Sequence, residues 1–286
     1  MSNFKELRSI ELSSFTTIST AIAVLFSIIS AILITLIVGL TVPGGAGVIV
    51  YLIPTIIVGT FMYTIYNAFC QGLLYNLLAR KLKTIAIDLK DGKEIVKIST
   101  TETAMMVSII LTIQVILLYL VSMLILPLLL STIMQTLIYS GQQIMAYNVY
   151  QLLALISQPA TAAIFIFGTL IITFVFVLIG AHIYNILGKK DRGIVLNLSE
   201  ENGFTAIDSI DTLRIAIAFA IISGALNLIF AVIMVISGMP ITSGIANVLY
   251  GFAGGFIEAY LFAVFYNYLA PKLGKLKIEL IDFKIN

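Results

Sequence analysis

The chain has 286 residues, of which 60% are hydrophobic and 10% charged, with a formal net charge of +2 and a mean hydropathy of +1.11. Water-soluble domains carry about 25% charged residues, so the composition excludes an ordinary soluble fold. The near-neutral charge also excludes the basic surface that nucleic acid demands. One cysteine (Cys70) and one histidine (His182) exclude an internal disulfide and a His/Cys metal cluster; no metal or other cofactor is expected.

In chain order, Asp, Glu, Lys and Arg are absent from Leu12 to Ala79, from Thr103 to Gly188 and from Ile215 to Ile257. A helix needs roughly 20 apolar residues to cross a bilayer, so each stretch holds two crossings, the third being continued to Ala270. The run from Phe15 to Leu40 exceeds a signal-peptide core of about 7–15 residues and reads as a retained first helix. Thr41-Val42-Pro43-Gly44-Gly45-Ala46-Gly47 and Ser237-Gly238-Met239-Pro240 break the first and third helical pairs. The middle pair has a longer connection, from Pro127 to Pro159, with Gln135, Gln142, Gln143, Asn148, Gln151 and Gln158 set among apolar residues. Two readings stand for it: a short helix on the membrane surface, or a buried polar loop cap.

The charged segments are 5–11, 80–102, 189–214 and 272–284, with two, six, four and four Lys or Arg. Cytoplasmic loops are enriched in these residues, so both termini and both charged loops are expected on the cytoplasmic face of a cell membrane.

An internal repeat is legible without gaps. Tyr75-Asn76, Tyr184-Asn185 and Tyr266-Asn267 are each followed by a Leu three after the Tyr, a small residue at four and a Lys at six (Lys81, Lys190, Lys272). Apolar residues recur at ten, twelve and fourteen, a period of two that predicts a strand with one buried face. The Tyr ring is expected at the headgroup level, the Asn amide on unpaired helix-terminal carbonyls, and the Lys snorkelling to the interface. A second strand precedes the first helix of each repeat, around Leu7–Leu12, Glu94–Ser99 and Phe204–Ile210. Lys90-Asp91-Gly92-Lys93 and Ser199-Glu200-Glu201-Asn202-Gly203 predict tight hairpin turns. The first strand (about 4–12) and the last (about 275–284) then lack sequence neighbours; pairing them closes a ring of six.

The predicted fold is an integral membrane protein, mainly α, with six transmembrane helices in three parallel strand–helix–helix–strand repeats, pseudo-threefold symmetry and a small cytoplasmic β-layer. The repeats are 1–90 (helices about 15–40 and 48–79), 91–199 (about 104–130 and 160–188) and 200–286 (about 213–237 and 246–270).

Tyr-Asn, a small residue, a Gly-containing turn and then apolar–x–apolar–x–Leu resembles the C-terminal signature of a bacterial family of small two-helix transmembrane proteins of unknown function, best known in actinobacteria. Ile98-Ser99-Thr100 and Ile207-Asp208-Ser209 are similar to its N-terminal strand leading into the first helix. The family's paired Gly before the strand reads Lys83-Thr84, Arg192-Gly193 and Gly274-Lys275 here. The resemblance implies three such units fused, and it implies no activity. Mitochondrial carriers also have three two-helix repeats, but none of Pro43, Pro54, Pro127, Pro159, Pro240 and Pro271 opens their Pro-x-[Asp/Glu]-x-x-[Lys/Arg] motif.

Glu258 is the one charged residue within a predicted span, roughly 18 Å from Ala270 along the helix. A carboxylate at that depth is a candidate ion or proton site, or else a protonated interhelical hydrogen-bond donor. Counting back eight from each repeat Tyr gives Asn67, Phe176 and Glu258, which makes Asn67 a candidate partner across a pseudo-threefold axis. His182 reads as a structural hydrogen-bonding residue, with proton relay as the less favoured alternative. Gly251, Gly254 and Gly255, with Gly72, Ala181 and Ala263, read as helix-packing positions. No nucleophile elbow, phosphate loop or paired-carboxylate motif is present. The expected function is a non-enzymatic scaffold in the lipid bilayer that docks a cytoplasmic protein partner, with a small Glu258-dependent transporter or channel as the alternative.

Overall fold

The structure, a computed structural model, describes residues 4–41 and 46–282. The elements run β1 (Phe4–Ile10), α1 (Leu12–Thr41), α2 (Ala46–Ala79), β2 (Ile85–Lys90), β3 (Glu94–Ile98), α3 (Thr100–Tyr139), α4 (Gln143–Ile156), α5 (Pro159–Gly188), β4 (Ile194–Glu201), β5 (Phe204–Ile210), α6 (Thr212–Ile236), α7 (Ile241–Leu273) and β6 (Leu276–Asp282). Among the described residues six helices, α1, α2, α3, α5, α6 and α7, are long and apolar enough to cross a membrane. The chain forms two compact units, one of residues 1–103 with 178–286, the other of residues 104–177.

In the first unit the strands form a closed barrel in the order β1-β2-β3-β4-β5-β6, with β6 antiparallel to β1. The ring of six expected from pairing the first and last strands is thus observed as a closed barrel, which leaves no row of unpaired backbone groups. Within each hairpin the turn chemistry is the expected one. Asp91 and Gly92 (φ 52° and 68°) and Asn202 and Gly203 (φ 55° and 80°) take the left-handed conformation that a two-residue turn between right-twisted strands requires.

Three register shifts bend the barrel. Leu7 pairs with Leu280 but Ser9 with Glu279, leaving Arg8 extra. Asp88 pairs with Lys97 but Leu89 with Ile95, leaving Val96 extra. Asn197 pairs with Ser209 but Leu198 with Ile207, leaving Asp208 extra. Bulges raise local twist and curvature, which a six-stranded barrel needs in order to close.

Helices α1 and α2 pack together, as do α6 and α7, and α1 also contacts α7. One core cluster joins barrel to helices: Leu196, Ile207 and Ile210 from strands meet Ile18, Ile22, Ile215, Ala259 and Tyr266. Glycines let α6 and α7 close up. A Cβ on Gly251 would lie 2.6 Å from Asn227 Nδ2, and one on Gly255 2.7 Å from Ser223 Cβ. Gly254 faces its own helix instead, toward Tyr250. On the other pair, a Cβ on Gly72 would come within 2.9 Å of Leu12 Cδ2. Ala181 and Ala263 are buried.

The second unit holds most of α3, all of α4 and the first part of α5. The middle connection differs from the expected Pro127–Pro159 loop region, since α3 continues through Pro127 to Tyr139. In an apolar run the backbone has no alternative partner to the helix itself, so one proline does not end it. At about 1.5 Å per residue, its 40 residues span roughly 60 Å. Of the two readings of the connection, the short helix is the observed one. In α4 Tyr147 and Tyr150 are exposed and only Ala146 is buried. Tyr119 donates to the Ile156 carbonyl at 3.0 Å and Thr161 to the Leu155 carbonyl at 2.8 Å, which fixes its end. Of the first-pair break at Thr41–Gly47, residues 42–45 lie outside the described residues.

Candidate functional site

The recurring Tyr-Asn pairs sit on the last turns of α2, α5 and α7, where each chain leaves the helix for a strand. All three make the same contacts. The hydroxyls of Tyr75, Tyr184 and Tyr266 donate to the carbonyls of Leu7, Ile95 and Ile207, each at 2.5 Å. These are the residues just before the bulged Arg8, Val96 and Asp208, where the ladder is interrupted and a carbonyl needs another donor. The same hydroxyls accept from Ile194 N and Leu276 N, both at 3.1 Å, and Tyr75 bonds the backbone of Ile85. One phenol therefore ties the strand that precedes a helical pair to the strand that follows it.

The neighbouring amide acts on the strand end. Asn76, Asn185 and Asn267 accept from the N–H of Ile10, Ile98 and Ile210 and donate to the carbonyl of the same residue, all at 2.8 Å. A side-chain amide has the donor–acceptor pattern of a neighbouring strand, so each Asn completes the ladder where the strand turns into a helix. This differs from both sequence expectations. The Asn residues bind strand backbone, not helix-terminal carbonyls. The Tyr rings are 4%, 5% and 1% exposed, not at a headgroup surface, because the barrel covers the helix ends.

The next residue of each first strand begins the helix. Glu11 accepts from Ser13 and Ser14 N, and Asp211 from Leu213 and Arg214 N, at 2.6–3.3 Å, satisfying the free N–H groups of a first turn. Ser99, at the corresponding place, accepts instead from Ala86 N at 2.9 Å. Asp208 lies in β5 and ion-pairs with Lys275 Nζ at 2.7 Å. Lys275 also contacts Glu201 at 2.5 Å, and Lys277 contacts Glu201 at 3.3 Å. Hydrogen bonding from Lys275 holds Asp208 and Glu201 below the usual carboxylate range, and hydrogen bonding to Asp208 pushes the Lys275 ammonium up. Lys81, Lys190 and Lys272 are exposed; the Lys272 ammonium lies 3.4 Å from the Tyr268 ring centroid. His182 is exposed and makes no hydrogen bond among the described residues, unlike the structural role its sequence position suggested.

Glu258 lines a groove of about 350 Å³ between α1, α6 and α7. Phe26, Phe219 and Phe262 form its walls, and the Ser223 hydroxyl is its other side-chain polar group. Asn67 stands on α2, where Gln71 Nε2 lies 3.5 Å from its Oδ1, and is not among the residues lining that groove. Farther out, Leu89, Leu198 and Leu280, each fourteen residues after its repeat Tyr, line one cleft of about 330 Å³ with Lys5, Glu200 and Thr205. Because β2 and β3 meet the helices at their other ends, this cleft, which includes Gly92 of the hairpin turn, is the barrel mouth remote from the helices.

Bulges and caps were missed from sequence. The bulge shifts the period by one residue inside strands of five to seven; the capping Glu11 falls within the expected first strand and Asp211 one residue after the expected Phe204–Ile210 strand. No family model matches the chain, and no curated protein or solved structure matches it.

Proposed function

We propose that the chain is a multi-pass membrane protein of three parallel strand–helix–helix–strand repeats with pseudo-threefold symmetry, acting as a non-enzymatic scaffold. In this reading its termini and barrel face the cytoplasm, and the barrel docks a protein partner. The repeats are fused copies of the two-helix unit described above. The observation that carries the reading is the Tyr-Asn clamp made at all three helix-to-strand junctions. It ties the barrel to the last turns of α2, α5 and α7, as a docking platform requires. The three equivalent leucines at the remote mouth supply an apolar centre inside a charged rim, the usual anatomy of a protein interface. A photo-crosslinking residue at Leu198 in intact membranes tests it. Protein-sized adducts from Leu198 and Leu280 that are absent from Leu33 on α1 support docking; no adduct from the mouth defeats it.

A second reading, an intramembrane ion or proton site, is favoured by the groove that reaches Glu258 and Ser223. Its test is flux in proteoliposomes: loss of flux in Glu258→Gln supports transport, and equal flux in both proteins removes Glu258 from the account.

A further inference from the structure

The barrel has three seams where the strand pair of one repeat meets the first helix of the next, and their charges differ. One residue before each clamped carbonyl stand Glu6, Glu94 and Ala206; seven residues after it stand Ser14, Glu102 and Arg214. At the seam of β3, β4 and β5, Arg214 closes the gap. Its guanidinium lies 3.5 Å from Glu94 Oε1 and donates to the Asp191 carbonyl, and Gly193 N donates to the same carboxylate at 2.9 Å. At the seam of β5, β6 and β1 the two equivalent positions carry no charge: Ala206 replaces the glutamate and Ser14 accepts from Lys277 N at 3.1 Å.

The seam of β1, β2 and β3 is different. Glu6 remains, but Glu102 stands where Arg214 stands in the sister seam, and a cleft of about 710 Å³ lies between them. Thr84 donates to Glu6 at 2.9 Å. The Glu102 side chain has no hydrogen-bond or ion-pair partner among the described residues. Lys83 and Lys97 line the same cleft, and Ala79 and Leu82 give it an apolar side where α2 ends.

We propose that this cleft binds the headgroup of an ethanolamine phospholipid: the ammonium between Glu6 and Glu102, the phosphate toward Lys83 and Lys97, the acyl chains along Ala79 and Leu82. The inference rests on the membrane reading above. The sister seam shows the chemistry that satisfies this carboxylate, a nitrogen cation bearing N–H donors. A choline headgroup offers no such donor, and an anionic glycerol headgroup meets two carboxylates. A bare divalent cation has two lysines against it and only two carboxylates for it.

The test uses full-length protein and three phospholipids with identical acyl chains and ethanolamine, choline or glycerol headgroups, with retained lipid counted by native mass spectrometry. Ethanolamine lipid is expected to be retained about tenfold over choline lipid, the scale of a charge-assisted hydrogen bond. Glu102→Arg, which copies the sister seam, removes that preference while melting as the wild type does. Lys83 and Lys97 are both exposed, and the double variant Lys83→Gln/Lys97→Gln is expected to lower retention of the ethanolamine lipid. Displacement of the lipid by soluble phosphoethanolamine identifies the headgroup alone as the ligand. Equal retention of the three lipids, preference for the glycerol lipid, or unchanged preference in Glu102→Arg overturns the proposal. Extraction of the protein from membranes by alkaline carbonate overturns the membrane reading itself, a separate result from a bilayer-resident protein without lipid preference.

Discussion

Replacing Asn185 by Ala removes two hydrogen bonds at once. Its amide bonds both the N–H and the C=O of Ile98 at 2.8 Å, and the residue is 8% exposed, so water does not take its place. Each buried group left unpaired costs about 1–3 kcal/mol, giving about 2–6 kcal/mol for the pair. In a chain of this size roughly 2 °C of melting temperature corresponds to each kcal/mol, so Asn185→Ala is expected to melt about 4–12 °C lower. The half-buried Asn76 and Asn267 admit water, and their Ala variants lose about half as much. Asn185→Asp keeps the acceptor for Ile98 N but sets a carboxylate against the Ile98 carbonyl, and is at least as damaging as Ala. The chain has no Trp, so near-ultraviolet circular dichroism in mild detergent follows its tyrosines, the buried Tyr184 included. An Asn185→Ala protein melting within about 1 °C of wild type would refute the clamp.

Gly188→Ala should destabilise by about 3 kcal/mol or more, since its Cβ would lie 2.0 Å from the Val96 carbonyl oxygen and β3 must move; melting and β-sheet dichroism check it. The pH dependence follows from the Lys275 cluster. Asp208 and Glu201 have lowered values in the fold, so their contribution is present above about pH 4 and lost as pH falls through those values; Lys275 is raised, so its contribution is lost only as pH rises above about 10. Wild-type melting is therefore flat between, and Lys275→Gln shows a smaller drop from pH 6 to pH 3, an effect that added salt weakens. Orientation is read by single cysteines in a Cys70→Ser background. In right-side-out vesicles Met239→Cys reacts with an impermeant maleimide and Gly92→Cys reacts only after permeabilisation; the reverse result inverts the topology.

Strand positions were legible because apolar residues recur with a period of two, as at Ile85, Ile87 and Leu89, although the buried residues of β2 are Ala86 and Leu89, and because Asp91-Gly92 and Asn202-Gly203 carry their conformation in their chemistry. Barrel closure followed from the two terminal strands having no other partner. The path of α3 through Pro127 was not legible, because proline's cost depends on surroundings that a local pattern omits. The work done by Asn76, Asn185 and Asn267 was hidden for a related reason. Their position near a helix end is plain, but the strand end each one reaches lies 57 to 87 residues away in the chain. At Glu258 the sequence marked the carboxylate, while the groove around it comes from α1 and α6.

The barrel closes where β1 pairs with β6, and one disulfide tests that pairing. Lys5 and Asp282 are register partners whose side chains form a 2.9 Å ion pair. Directly opposed antiparallel residues have Cα atoms about 4.5–5.5 Å apart, within the range a disulfide spans. In Cys70→Ser/Lys5→Cys/Asp282→Cys, mild oxidation should produce an intramolecular crosslink that joins the two ends of the chain, seen as faster migration in a denaturing gel and reversed by reductant. Absence of that species under oxidation, or crosslinking only between chains, would contradict the closed barrel.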